Sequence, residues 1–242
     1  MGSDNLFHKV REERKKRETN IINQRAGNWL IVTEGTKTEP IYFKKIIDIV
    51  NNNLPKDSRL KCEICGMGKN TISLVDSVLN LQYFIDKKKG SKIILYEKIF
   101  VVFDRDSFSK QNFNRAINLC KKNDYIPLWS NEAFEYWLLL HFNYYNSNLS
   151  RLDYREKIEN ELKKKNINIK YQKNSEKVID YIIQKGSLIN AINNAKRIHK
   201  EMIRSNIKPD EANSMTTMYR FFEEIDRRNE ELSVKKCKEI FK

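Results

Sequence analysis

Asn28-Trp-Leu-Ile-Val-Thr-Glu-Gly-Thr-Lys-Thr-Glu39 decides the reading of this chain, together with Lys98-Ile-Phe-Val-Val-Phe-Asp-Arg-Asp106 about seventy residues on. Each is a short β-branched and aromatic run that ends abruptly in carboxylates. A buried parallel strand looks like this when its C-terminal end opens into a crevice, and ligands of open α/β sheets bind at that end. Placing Glu34, Asp104 and Asp106 where two strands emerge side by side concentrates negative charge that a cation relieves, so a divalent metal is the first expectation.

Around these runs the chain reads as βα units. Thr38 or Glu39 stands near the cap of a helix that tolerates Pro40 in its first turn and has Ile41, Phe43, Ile46, Ile47 and Val50 as its apolar face. Residues 60–65 alternate as a strand, and an amphipathic helix is expected over 71–88. Residues 99–103 form a central strand. Period-two geometry past its end sends Asp104 and Asp106 to one side and Arg105 elsewhere. The competing reading has Asp106 or Ser107 capping a helix over 109–121. Residues 125–130 read as a fourth strand, placed toward an edge by Pro127. Ser130 or Asn131 then caps a largely buried helix reaching 142. Glu132 and Glu135 lie in its first turns, where either the helix dipole or a site accounts for them.

From residue 143 the sequence is rich in Asn and Lys, with helices expected over 153–164, 175–185, 189–205 and 216–230 and a capping cluster at Asn213-Ser-Met-Thr-Thr217. The expected fold class is α/β: a Rossmann-like, mostly parallel four-stranded sheet flanked by helices, with an α-helical C-terminal extension. Its divisions are a basic arm at 1–26, an α/β domain at 27–145 and a helical region at 146–242.

The 46 Lys and Arg against 32 Asp and Glu give +14, a surface that attracts polyanions, with a membrane surface as the competing partner. No run approaches the roughly 20 apolar residues of a membrane span, and the N-terminus lacks the apolar core of a signal peptide. A cytoplasmic protein with four reduced thiols is therefore expected. Cys62 and Cys65 match half of a zinc-ribbon spacing, but no second close pair exists and residues three apart on a strand face opposite ways. Two ordinary strand cysteines are the weightier reading. Lys9, Arg11, Arg14, Lys15, Lys16, Arg17 and Arg25 make a solvated leader or a nucleic-acid contact. Lys163-Lys-Lys165 and Lys196-Arg197 form a phosphate-binding or merely solvated face.

His8, His141 and His199 are too scattered for a two-histidine metal motif or a histidine general base. Carboxylates remain. A Glu and an Asp-x-Asp at strand ends can hold Mg²⁺ or Mn²⁺, which polarises a phosphoryl oxygen and activates water. With the basic surface, that points to phosphodiester chemistry.

At these residues the chain resembles the TOPRIM domain of topoisomerases, primases and OLD-family nucleases. The blocks Leu30-Ile-Val-Thr-Glu-Gly-Thr-Lys-Thr-Glu-Pro-Ile-Tyr-Phe43, Val101-Val-Phe-Asp-Arg-Asp106, Ser130-Asn-Glu-Ala-Phe-Glu-Tyr-Trp-Leu-Leu-Leu-His-Phe142 and Asn213-Ser-Met-Thr-Thr217 resemble the RloB-like family. The resemblance implies a TOPRIM-like fold and a Mg²⁺- or Mn²⁺-dependent nuclease effector of prokaryotic anti-phage or abortive-infection defence. It implies RNA, tRNA included, or DNA as substrate and an ABC- or AAA-type ATPase as partner; apart from the resemblance, no membrane partner is expected and homo-oligomerisation stays open. Glu34, Asp104 and Asp106 would be the metal-linked catalytic residues, and Glu39 and Glu135 match family blocks. The chain departs from the family at Glu132, where proline is frequent.

Two other readings stay beside the nuclease. A nucleic-acid-binding or ATPase-docking module would carry the same acids as structure. A haloacid-dehalogenase-like phosphatase would use Asp104-x-Asp106, although that chemistry places its nucleophile after the first strand and two βα units precede it here.

Overall fold

A computed structural model describes residues 27–86, 91–105, 109–212 and 214–242. The basic arm, Asp106 and Asn213 lie outside the described residues. Five strands form the main sheet: β1 (Asn28–Thr33), β2 (Lys61–Gly66), β5 (Lys98–Asp104), β6 (Ile126–Asn131) and β7 (Met215–Thr216), in the order β2-β1-β5-β6-β7. All pairings are parallel except β6 with β7. The α/β class with its mostly parallel sheet is therefore present, widened by β7 beyond the four strands expected.

β1 and β5 are central because their residues are apolar on both faces. Trp29 to Val32 and Phe100 to Phe103 are all buried. Helix α1 (Thr38–Asn52) follows β1, and α8 (Tyr219–Glu231) packs on the same face, where Phe221 meets Trp29, Phe43 and Phe100 at ring-centroid distances of 5.9, 5.1 and 5.1 Å. Rings at 4.5–7 Å and tilted or edge-on are favourably placed. On the other face, Phe113 of α3 (Lys110–Lys122) sits 5.7 Å from Phe103 and 5.5 Å from Trp129. One apolar cluster runs from the sheet into the C-terminal helices α5 (Arg151–Lys164), α6 (Glu176–Lys185) and α7 (Leu188–Arg204).

Several expected boundaries move. The helix after β2, α2 (Thr71–Leu81), is shorter than expected, and an antiparallel pair, β3 (Tyr83–Asp86) with β4 (Ser91–Ile94), replaces its expected second half. Tyr83-Phe-Ile85 is aromatic and β-branched, a composition that fits a ladder better than a helix. Ser109 caps α3 through its hydroxyl, so neither Asp106 nor Ser107 is needed for that task. The helix expected from 130 begins only at Glu135 (α4, Glu135–Leu140), because Ser130 and Asn131 continue β6 and pair with Thr216 and Met215. The peptide joining Asn131 to Glu132 is cis.

Within the stretch read as a capping cluster, Met215 and Thr216 form a strand instead, β7. Thr217 Oγ1 accepts from Trp129 N at 2.9 Å, and Thr217 N donates to Trp129 O at 2.9 Å. β7 covers only the end of β6, so Pro127, which pairs with Val101 of β5, lies beyond the β7 ladder, where a missing N–H costs no bond. Among the described residues no helix is long and apolar enough to cross a membrane.

Candidate active site

The carboxyl ends of β1 and β5 lie side by side. Glu34 N donates to Val102 O at 2.9 Å, and Asp104 N donates back to Glu34 Oε2 at 3.3 Å. The two strand-end acids foreseen in the sequence are thus joined through backbone as well as proximity. Beside β1, Met67 N donates to Thr33 O and Gly68 N to Glu34 O, both at 3.0 Å, carrying the loop after β2 along the same rim. A Cβ on Gly66 would come within 2.8 Å of Thr36 Cα, so this backbone approach requires glycine.

Glu39 enters from the first turn of α1. Its carboxylate folds over Gly35, where a Cβ would stand 2.6 Å from Glu39 Cδ. Glu135 enters from the first turn of α4. Glu39, Asp104 and Glu135 are only 6%, 9% and 2% exposed, respectively. Burial, then the charges of Glu39 and Glu135 and finally that of Glu34, raises the Asp104 carboxyl well above its ordinary range, opposed by a backbone hydrogen bond at Phe134. Burial likewise raises Glu39, opposed by a backbone hydrogen bond and then by the charge of Lys173.

Arg105 points away as expected, donating from Nη1 to Asn131 Oδ1 at 3.3 Å. His141 and His199 are packed elsewhere. His141 Nε2 meets Tyr42 Oη at 2.9 Å, and burial pushes its pKa down to about 3. His199 Nδ1 meets Tyr219 Oη at 2.6 Å, with its pKa lowered to about 4, chiefly by burial. Cys62 and Cys65 are half-buried free thiols on β2.

Cations rim the acids, and here the structure adds what was not read beforehand. Glu34, Glu39 and Asp104 line a pocket of about 350 Å³ together with Lys69, Arg151 and Lys173. Arg151 Nη2 stands 3.6 Å from Asp104 Oδ2, and Arg155 Nη2 stands 3.4 Å from Glu135 Oε1. The segment carrying Lys173 is tied down on both sides of it. Asn174 N donates to Thr38 Oγ1 at 3.2 Å, and Tyr171 N donates to Glu159 Oε1 at 2.6 Å. By contrast, one member of the 163–165 cluster and both of the 196–197 pair meet local acids. Lys164 pairs with Glu161, Lys196 with Glu223 and Arg197 with Glu201, at 2.8, 2.9 and 3.2 Å. Ser150 and Asp153, which form a capping box, were the only local sign that α5 begins at Arg151.

The donor set suits a hard divalent cation. Every acid in the pocket offers oxygen, and Glu39 Oε2 and Asp104 Oδ1 are buried without a hydrogen-bond partner. Among the described residues, however, no three His, Cys, Asp or Glu side chains converge as a ligand set. Of the expected trio, Glu34 and Asp104 meet, while Asp106 lies outside the described residues.

A family model described as RloB-like protein matches residues 29–225. The chain belongs to the RloB-like family. The match spans β1 through about the first half of α8, so the helix and the turn that bring Arg151 and Lys173 to the acids belong to the RloB-like match as much as the sheet does. No curated protein and no solved structure matches.

Proposed function

We propose that this RloB-like chain is a metal-dependent TOPRIM nuclease that hydrolyses phosphodiester bonds in RNA, tRNA among the candidates, or in DNA. In this reading it is an effector of prokaryotic anti-phage defence working beside an ABC- or AAA-type ATPase, as the family resemblance implies. The observation that carries the chemistry is the contact of Asp104 N with Glu34 Oε2, which puts the acid ends of two adjacent parallel strands into one cation-rimmed pocket.

Glu34 and Asp104, with Asp106 as the further ligand the resemblance implies, would hold Mg²⁺ or Mn²⁺, which when bound polarises a phosphoryl oxygen and activates water. The chain's own groups do the rest. Burial of Asp104 and Glu39 limits bulk water around the reacting phosphate, strengthening each electrostatic contact. Glu39, whose carboxyl is held above its ordinary range, keeps a proton closer to neutral pH than a solvated glutamate and so can pass one to or from a reacting oxygen.

Purified protein, alone and with a neighbouring ATPase, is incubated with total tRNA and supercoiled plasmid in Mg²⁺ or Mn²⁺. One polymer is cut, chelation stops the cutting, and Glu34→Gln and Asp104→Asn each slow it by about 100-fold or more. Cutting retained in both variants overturns the reading. The non-catalytic binding module draws on the lack of three converging ligands among the described residues. It predicts salt-sensitive binding without turnover, whatever the ATPase.

A further inference from the structure

Arg151 is the first residue of α5, directly after the Ser150 cap. A cation there faces the positive end of the helix dipole, where a carboxylate would be favoured. Its compensation is tertiary, in the Asp104 carboxylate 3.6 Å away and, in second place, in the charge of Glu39 across the same pocket. That is the carboxylate which the proposed function gives to a divalent ion. An ion on Asp104 would repel the guanidinium while cancelling the nearest charge that holds it there.

Arg151 has somewhere to turn. It lines the same pocket as Lys173, whose segment is pinned to α1 through Thr38 and Asn174. A guanidinium can give a phosphate two parallel N–H bonds, and Lys173 adds a point charge.

We infer that Arg151 exchanges partners, neutralising Asp104 while no divalent ion is bound and gripping a nucleic-acid phosphate, with Lys173, once an ion takes Asp104. The inference rests on the nuclease reading. It makes Arg151 both a competitor of the ion and a ligand of the substrate, two roles with opposite signs under mutation.

The test measures Mn²⁺ binding by the paramagnetic resonance of the free ion. It also measures binding of a short fluorescent single-stranded RNA, and of its DNA counterpart, by anisotropy in Ca²⁺ and in chelator. In Arg151→Ala, Mn²⁺ binds several-fold tighter. The preferred polymer binds roughly 10-fold weaker in Ca²⁺, with a salt slope smaller by about 1. The gain in polymer affinity that Ca²⁺ gives the wild type disappears. Arg151→Lys keeps the charge but loses the fork, and it weakens polymer binding in the same direction by less. Melting curves establish that each variant is folded, and Arg151→Lys carries the test should Arg151→Ala not fold.

Mn²⁺ and polymer affinities that move together, or stay unchanged, overturn the exchange. A wild type that cleaves and binds both ligands, with both variants unaltered, ends this inference alone. A wild type that binds neither ends the nuclease reading with it.

Discussion

The two ends of the parallel sheet carry charge in opposite ways. Where β5 begins, Lys98 is paired with Glu224, and Arg227 Nη1 reaches both oxygens of the same carboxylate at 2.8 and 3.0 Å. Where β1 and β5 finish, Glu34, Glu39, Asp104 and Glu135 crowd together so closely that Asp104 is raised by its acidic neighbours as well as by burial. The same side-chain types thus serve a different end of the same strands. An acid met by two cations stabilises the fold around it, whereas buried acids pressed against one another cost stability that Arg151 and Arg155 only partly offset.

That contrast is broken most directly at Glu224. Glu224→Ala leaves Lys98 partly buried beside the sheet without its acid and should cost about 2 kcal/mol, below the 3–5 kcal/mol of a fully buried pair because both side chains retain some exposure. Denaturant unfolding checks this, and an unchanged midpoint would erase the distinction between the ends.

At the other end the sign reverses. Asp104→Asn removes a crowded charge and should stabilise the ion-free protein by on the order of 1 kcal/mol at neutral pH. A carboxyl raised by folding contributes fully below its unfolded value, 3.8 for Asp, and loses that contribution as pH rises through its folded value. The advantage of Asp104→Asn is therefore present at neutral pH and fades toward pH 4. Melting curves across that range that stay parallel would show that Asp104 is not crowded.

A smaller effect sharpens the assignment. Saturating Mg²⁺ should raise the wild-type melting temperature by a few degrees, and that of Asp104→Asn by less, since a ligand stabilises only the state that binds it. The smallest change is expected at Lys196, whose pair with Glu223 is solvent-exposed on both sides. Lys196→Ala should move stability by no more than about 0.5 kcal/mol.

How much of this was legible in the sequence follows from the range of each interaction. β1 and β5 announce themselves because burial on both faces writes a continuous apolar run, β2 at the sheet edge shows instead as alternation, and Glu34 and Asp104 are legible because each directly ends an apolar run. The β3 and β4 pair escaped because the helical pattern of 71–81 runs into it without a break. β7 escaped because two residues carry no periodicity, and its pairing is settled by partners such as Ser130 and Thr216, 86 positions apart. Arg151, Arg155 and Lys173 were unreadable for the same reason. Their local surroundings are ordinary helix and loop, and only tertiary packing brings them over the acids.

That ordering in the chain has a consequence during synthesis. The acids leave the ribosome before Arg151, Lys173 and the strand that completes the sheet. A polypeptide arrested between Glu135 and Arg151 would hold the acidic half of the pocket with neither the guanidinium that quiets Asp104 nor the edge that fixes Ser130 and Asn131. The acids of the pocket and the cations that restrain them are separated in time by translation itself, with Lys69, among the described residues, the one lining cation that precedes Asp104.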